Sequence, residues 1–219
     1  MSALATYRSQ VLAILKDISQ VAWSTAEIDA AIRSALEEYS RINPQTIDTV
    51  ITCPGDGRMI ALDSLTHFIG IADVWWPFDS GATSETWPPN RIAGWRLIWD
   101  NAQPVLFLSS SDGSQPQTSD EIRIWYFTIH TIQDLDSGEL TTLPVQHEYL
   151  VCKGAAAYAA ESGALNRSEV LDPELVRKWA GTQLADYRRE LERIRASSVR
   201  NEGEPFGPGW KLDKYDAVV

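Results

Sequence analysis

The sequence predicts an α+β fold: a helical bundle made by N- and C-terminal helices, with an inserted antiparallel β-rich domain. Three observations predict it. Residues 3–42 and 144–196 carry apolar side chains at helical spacing. The stretch between them alternates at the period of a strand and is broken by Gly/Pro turns. Charge divides along the same lines. Lys and Arg counted against Asp and Glu give −2 for residues 1–50, −8 for 51–143, 0 for 144–196 and −1 for 197–219, within a net −11 over 219 residues. The expected organisation is a helical hairpin over 1–45, the β insert over 46–143, completing helices over 144–196, and an extended docking tail over 197–219.

The first helix is expected from Leu4 to Ile18, with Leu4, Tyr7, Val11, Ile14, Leu15 and Ile18 on one stripe. Ser24, three residues before Glu27, has the spacing of a capping box, in which each side chain satisfies the other residue's free N–H. A second helix then runs to about Ser40, facing inward through Ile28, Ala31, Ile32, Ala35, Leu36 and Tyr39, and Pro44 marks the exit. Thr46 to Cys53 is a β-branched run. The turn Pro54-Gly55-Asp56-Gly57 leads into Arg58 to Leu62. Further strands are expected at Phe68 to Trp76, Ile92 to Trp99 and Pro104 to Ser109, with a long loop over Pro77 to Asn90 and a polar turn over Ser109 to Ser119. Glu121 to Thr131 alternates most clearly, with Ile122, Ile124, Tyr126, Thr128 and His130 opposite Arg123, Trp125, Phe127 and Ile129. Strands without long intervening helices point to an antiparallel sheet or small sandwich.

Helical signals return at Pro144, a residue favoured in the first turn. The run Gly154-Ala155-Ala156-Ala157-Tyr158-Ala159-Ala160 allows close helix approach, and Gly163 is expected to end that helix. Asp172-Pro173-Glu174 combines a cap, a first-turn proline and an acid at the positive end of the dipole. The helix it starts is expected to reach about Ala196, with Arg188, Arg189, Arg193 and Arg195 in its last turns. The tail from Ser197 is rich in Gly and Pro and offers Phe206, Trp210 and Tyr215 as anchors.

The chain is long enough to bury a core without metal or disulfides. Cys53 and Cys152 are too few for a disulfide scaffold and read as two buried thiols in a reducing compartment. The N-terminal residues lack the basic start and apolar run of a signal peptide, and no stretch approaches eighteen apolar residues, so no membrane contact is expected. A pI near 4.7 argues against gripping nucleic acid, which needs cations to replace counterions around phosphate. Glu190 and Glu192 dilute the arginine cluster, so a solvated face or intersubunit ion pairs fit it better than a DNA-reading helix.

Catalytic and cofactor signals are weak. His147-Glu148 would need a second histidine at position 151 for a zinc motif, and that residue is Val151. Gly55-Asp56-Gly57 lacks the further glycines, or the G-K-S/T, of a phosphate loop and reads as a hairpin turn. Asp134, Asp136 and Glu139 lack the full spacing of a calcium loop. Ser64 and Ser162 have no nucleophile elbow. No enzyme, metal or cofactor is therefore expected. Nine tryptophans are many for this length, and six of them fall in the insert. Core filling, a protein interface and ligand stacking are their three possible uses, in that order.

Two stretches carry a family resemblance. Ala22-Trp23-Ser24-Thr25-Ala26-Glu27-Ile28-Asp29-Ala30-Ala31-Ile32, continued by Ala35-Leu36-Glu37-Glu38-Tyr39, is one. Leu143-Pro144-Val145-Gln146-His147-Glu148-Tyr149-Leu150, with the alanine-rich helix after it, is the other. In these the chain resembles the head-to-tail connector, or adaptor, proteins of tailed bacteriophages. The resemblance implies a structural virion protein at the head-tail junction, assembled in the host cytoplasm. It would form a ring, typically of twelve copies, beneath the portal protein. It would pass DNA without binding it tightly and receive a downstream tail or stopper protein. Leu36, Tyr39, Leu150, Leu175, Trp179, Tyr187 and Leu191 would pack the bundle. Arg188, Arg189, Arg193 and Arg195 would lie at a portal or subunit contact, and residues 197–219 would dock through Phe206, Trp210 and Tyr215. The insert departs from the small family members, which have a much shorter loop or hairpin there. The alternative is a carbohydrate- or polymer-binding module built on the Trp-rich insert, with several tryptophans on one exposed groove.

Overall fold

The computed structural model describes residues 3–55, 57–80, 94–109, 113–136, 140–166 and 172–201. Among the described residues, four helices and two small antiparallel sheets form a mixed α+β fold, with helices toward both ends and the strands between. The elements are α1 (Leu4–Leu15), α2 (Thr25–Ile42), β1 (Gln45–Thr52), β2 (Met59–Ala61), β3 (Phe68–Phe78), β4 (Trp95–Asp100), β5 (Gln103–Leu108), β6 (Glu121–Thr128), α3 (Val145–Asn166) and α4 (Pro173–Asn201). They fall into two compact units, one formed by Met1–Gln45 with Ile129–Asn201 and one containing Thr46–Thr128.

In the helical unit α3 is the axis. Val151, Cys152, Ala155, Ala156 and Ala159 are buried in one core with Tyr7 and Val11 of α1, Ile28, Ile32, Ala35 and Tyr39 of α2, and Tyr187 and Leu191 of α4. Alanines on α3 let three helices approach it closely. α2 begins as expected: Ser24 Oγ accepts from the Glu27 N–H, and the Glu27 carboxylate accepts from the Ser24 N–H at 2.8 Å. Arg8 and Asp29 clamp α1 to α2 through two parallel bonds of 2.7 and 2.6 Å.

α1 ends at Leu15, not at Ile18. Lys16 takes the left-handed conformation (φ 58°) and closes the helix. Ile18 therefore leaves the predicted stripe and is 82% exposed. Asp17 organises the turn that follows. Its Oδ1 accepts from the Val21 N–H at 2.9 Å, and its Oδ2 accepts from the Ala22 and Trp23 N–H groups at 2.8 and 3.0 Å. One buried carboxylate thus satisfies three amides ahead of α2. Asp17→Ala is expected to cost about 2–3 kcal/mol, because charge-assisted bonds are lost and a buried N–H is orphaned. Equilibrium urea unfolding measures this, and a cost below about 0.5 kcal/mol would show that the turn stands without the carboxylate.

Three further expectations change. α3 continues through Gly163 to Asn166. Gly163 is buried and keeps the helical conformation, so it does not act as a left-handed stop. α4 continues past Ala196 to Asn201, because no glycine or proline interrupts the sequence before Gly203. Residues 197–201 are thus helix rather than tail. Residues 129–143, expected in the insert, belong to the helical unit, where Ile132, Leu135 and Leu143 enter its core.

The β unit holds two three-stranded sheets, ordered β1-β6-β3 and β2-β5-β4. Alternation decides its interior. Ile122, Ile124 and Tyr126 of β6 and Ile71, Val74 and Trp76 of β3 share a core with Ile60, Leu62, Leu106 and Leu108. Pro77 is tolerated because β3 is an edge strand. β6 ends at Thr128 rather than Thr131, and Thr128 Oγ1 donates to the His67 carbonyl at 3.0 Å. β4 and β5 join through Asn101-Ala102, both at positive φ, the conformation of a tight two-residue hairpin. Of the loop expected over Pro77 to Asn90, residues 81–90 lie outside the described residues, as does the start of the expected Ile92 strand.

Candidate functional site

α4 is the element to which most of the expected contact residues belong. It spans 29 residues, about 43 Å at the α-helical rise. Ala180, Leu184, Tyr187 and Leu191 are buried, with Ile194 packed beside them. Their spacings of four, three and four make a heptad-like seam against α3. Asp172 caps the helix by accepting from the Glu174 and Leu175 N–H groups at 3.0 and 3.3 Å.

Most of the expected bundle residues meet in this core. Leu36, Tyr39, Tyr187 and Leu191 are buried there, and Leu150 and Trp179 pack against it while partly exposed. Leu175 is a correction, being 65% exposed. Nine residues before Leu184, at roughly 100° per residue, it lies on the opposite side of the helix from the seam.

The tightest contact in the unit involves Tyr187. A Cβ placed on Gly154 would lie 2.8 Å from Cζ of the Tyr187 ring, so only glycine leaves room for the ring to cross α3. Beyond that crossing the hydroxyl donates to the Ala35 carbonyl of α2 at 2.7 Å. Burial raises the pKa of this phenol, and the neighbouring Glu38 carboxylate adds to the shift. It therefore stays protonated and able to donate.

The four arginines are engaged within the chain. Arg188 Nε donates to Glu38 Oε1 at 2.8 Å, and the Tyr158 hydroxyl donates to the other oxygen of the same carboxylate. The bond to Glu38 is the main reason the Arg188 pKa rises. Arg189 pairs with Asp186 at 3.0 Å, Arg193 with Glu190 at 2.5 Å and Arg195 with Glu192 at 3.9 Å, each one turn back along α4. These exposed pairs contribute little stability. They do settle the chemistry of the face, which presents guanidinium and carboxylate side by side. Such a surface suits a partner of mixed charge better than a run of phosphates. Phe206, Trp210 and Tyr215 lie outside the described residues.

The β unit contains ten acidic residues and four arginines between positions 46 and 128, and no lysine. On the outer face of its first sheet the Arg123 guanidinium lies 5.2 Å from the Trp75 ring, 5.4 Å from Phe78 and 5.1 Å from Trp125. Its Nε donates to Asp48 at 2.8 Å. Trp75 Nε1 donates to Asp73 at 2.8 Å. Among the other insert tryptophans Trp76 is buried, Trp95 packs on the core, Trp99 is 62% exposed, and Trp87 lies outside the described residues.

No protein-family model matches the chain, and no curated protein matches it. Solved structures similar to it include two particle necks. One is the neck of an empty GTA (gene transfer agent) particle computed with C6 symmetry, at 18% identity and TM-score 0.31, covering 70% of this chain and 75% of that one. The other is the neck of a native GTA particle computed with C12 symmetry, at 18% identity and TM-score 0.29, covering 72% of this chain and 79% of that one. At that identity and TM-score the likeness assigns no role to any residue.

Both cysteines, Cys53 and Cys152, are free and buried. Cys152 donates to Gln10 Oε1 at 3.2 Å, and burial pushes its pKa up to about 12. Burial also raises Cys53. Neither is poised as a thiolate nucleophile. Among the described residues no group of three or more His, Cys, Asp or Glu side chains has the arrangement of a metal site, and no helix is long and apolar enough to cross a membrane.

Sequence reasoning missed three features of this unit: the Asp17 turn, the Gly154–Tyr187 crossing, and the triad of Glu38, Tyr158 and Arg188. Only the crossing left a signal, the glycine at the head of the alanine run. Asp17 and Glu38 look like any surface acid until the chain is folded.

Proposed function

We propose that this chain is a structural protein of a phage-like particle, an adaptor that forms a ring beneath the portal and links the capsid to the tail. One observation carries the reading. The two separated stretches that resemble adaptor proteins pack on each other, with Trp23 Nε1 donating to the Ala159 carbonyl at 3.1 Å across 136 residues of sequence. The β unit is inserted without breaking that pairing.

In this reading the mechanism is assembly rather than turnover. Ring symmetry multiplies modest contacts. The mixed-charge face of α4, with Arg189, Arg193 and Arg195, meets a neighbour or the portal, and residues 202–219 dock through Phe206, Trp210 and Tyr215. The acidic β unit repels phosphate wherever it faces the channel, so DNA passes without adhering. The downstream partner is a tail or stopper protein.

The glycan-binding alternative needs open aromatic faces. In the β unit Arg123 already stacks near Trp75, Phe78 and Trp125, which weighs against it. Electron microscopy of the full chain mixed with assembled portal tests the adaptor reading. The expected result is a ring of density added beneath the portal, with twelvefold symmetry. Portal particles that stay bare at saturating protein would overturn it.

A further inference from the structure

Among the described residues, β1 and β3 are the edges of one sheet of the β unit, and β2 and β4 are the edges of the other. Three of these edges are protected against pairing with another chain. β3 carries the exposed Pro77 and meets β6 through three register shifts. β2 is only three residues long. β4 exposes Arg96 and Asp100. Proline, bulges, short length and charge are the devices that keep edge strands apart. β1 lacks them. Its eight residues include no proline, glycine or lysine, and its single charge, Asp48, is neutralised by Arg123 of β6 at 2.8 Å.

The inner face of β1 is also incompletely covered. Ile47 and Ile51 pack against the β core yet stay partly exposed, whereas Ile122 and Ile124 of neighbouring β6 are 0% exposed. Thr46, Asp48, Val50 and Thr52 alternate with them on the outer face, and all four are exposed. A strand edge offers a row of backbone N–H and C=O groups, so the partner that fits it is another extended strand.

The order of side chains selects that strand. Thr46-Ile47-Asp48-Thr49-Val50-Ile51-Thr52 is close to a palindrome about Thr49. Laid antiparallel on a second copy with Thr49 opposite Thr49, Thr46 meets Thr52, Ile47 meets Ile51, and Asp48 meets Val50. The two-fold axis makes each of these contacts twice. Isoleucines then close over one another on the core side, threonines meet on the outer side, and no like charges face each other. Other registers lose this match. Centring on Asp48 sets two carboxylates opposite each other, and centring on Val50 sets Ile51 against Thr49. A slip of one residue puts the two cores on opposite faces of the joined sheet.

We propose that β1 is a self-pairing edge, through which two copies of this chain join antiparallel about Thr49. Two three-stranded sheets become one, in the order β3-β6-β1-β1-β6-β3. The contact closes on itself at two copies, whereas a ring is built from two different surfaces on each copy. It is therefore a state of the free chain and does not rest on the ring reading. One strand from each copy is a small interface, which fits a reversible dimer rather than an obligate one.

Sedimentation velocity on the full-length chain is expected to show a monomer–dimer equilibrium in roughly the micromolar range. Val50 is 39% exposed, so the fold tolerates a charge there. Val50→Asp sets a carboxylate opposite Asp48 twice in each dimer and is expected to weaken association by roughly tenfold or more. Val50→Lys sets opposite charges at the same two places and is expected to associate at least as tightly as the native chain. Disulfide trapping checks the register independently. Directly opposed Cα atoms lie about 4.5–5.5 Å apart, within disulfide reach, so Thr49→Cys should link two copies on mild oxidation. Thr46→Cys and Thr52→Cys should link only when the two proteins are mixed. The native Cys53 and Cys152 are buried and do not compete. A chain that stays monomeric at about 0.5 mM would overturn the proposal. Association of any size that ignores Val50→Asp, a Thr49→Cys chain that does not link, or a Thr46→Cys chain that links to itself would do the same.

Discussion

Alanine at position 187 is expected to lower the stability of the chain by about 3–5 kcal/mol, the range for truncating a buried aromatic to Ala. Tyr187 belongs to α4, crosses α3 at Gly154, and ends in a hydrogen bond to α2 at Ala35. One side chain thus joins three helices, and its removal opens a cavity that the fixed backbone at Gly154 cannot collapse to fill. Phenylalanine separates the two contributions. It keeps the ring and loses only the hydroxyl bond, for an expected cost of about 1 kcal/mol. Equilibrium urea unfolding of the three proteins gives both numbers. If alanine costs less than about 1 kcal/mol, α4 is not held through this residue.

Deleting residues 202–219 is expected to leave the unfolding midpoint unchanged and to weaken portal capture by roughly tenfold or more. The division follows from where the packing stops. Ile194 is the last side chain of α4 seen against the helical core, and the helix itself runs to Asn201. A cut at 202 therefore removes no known core contact, whereas a cut at 197 would remove the last turn of the helix. Phe206 and Trp210 sit among Pro205, Gly207, Pro208 and Gly209, with Tyr215 beyond them. Aromatic anchors at an interface commonly contribute more than about 1 kcal/mol each, and about 1.4 kcal/mol is a tenfold change in affinity. Titrating full-length and truncated protein against immobilised assembled portal measures the difference. Equal affinities would remove the docking role from the tail, though not the ring role from the helices.

Much of the fold is legible in local spacing. The capping box at Ser24, the inward stripe from Ile28 to Tyr39 and the alternation of Ile122, Ile124 and Tyr126 each bury the side chains that their periods select. The misreadings fall at ends and on isolated apolar residues. Ile18 continues the α1 stripe in spacing, but Lys16 turns the backbone before it. Leu175 is apolar and lies in α4, yet the position of α3 leaves it outside the seam.

The candidate contact residues divide in the same way. That positive side chains gather near the C-terminal end of α4, and that acids fill the insert, is a property of composition and order, so the sequence alone determined it. Which arginines are already engaged was decided by folding. Glu38 meets Arg188 across 150 residues of chain, and His147 meets Tyr39 across 108. Helical and strand periods are local: they follow from the backbone and the water around it, and a short window of sequence contains them. Partner choice between distant side chains depends on how whole elements pack. The fold class was therefore readable from the chain, while the Tyr187 crossing and the charge pairing came only with the tertiary structure.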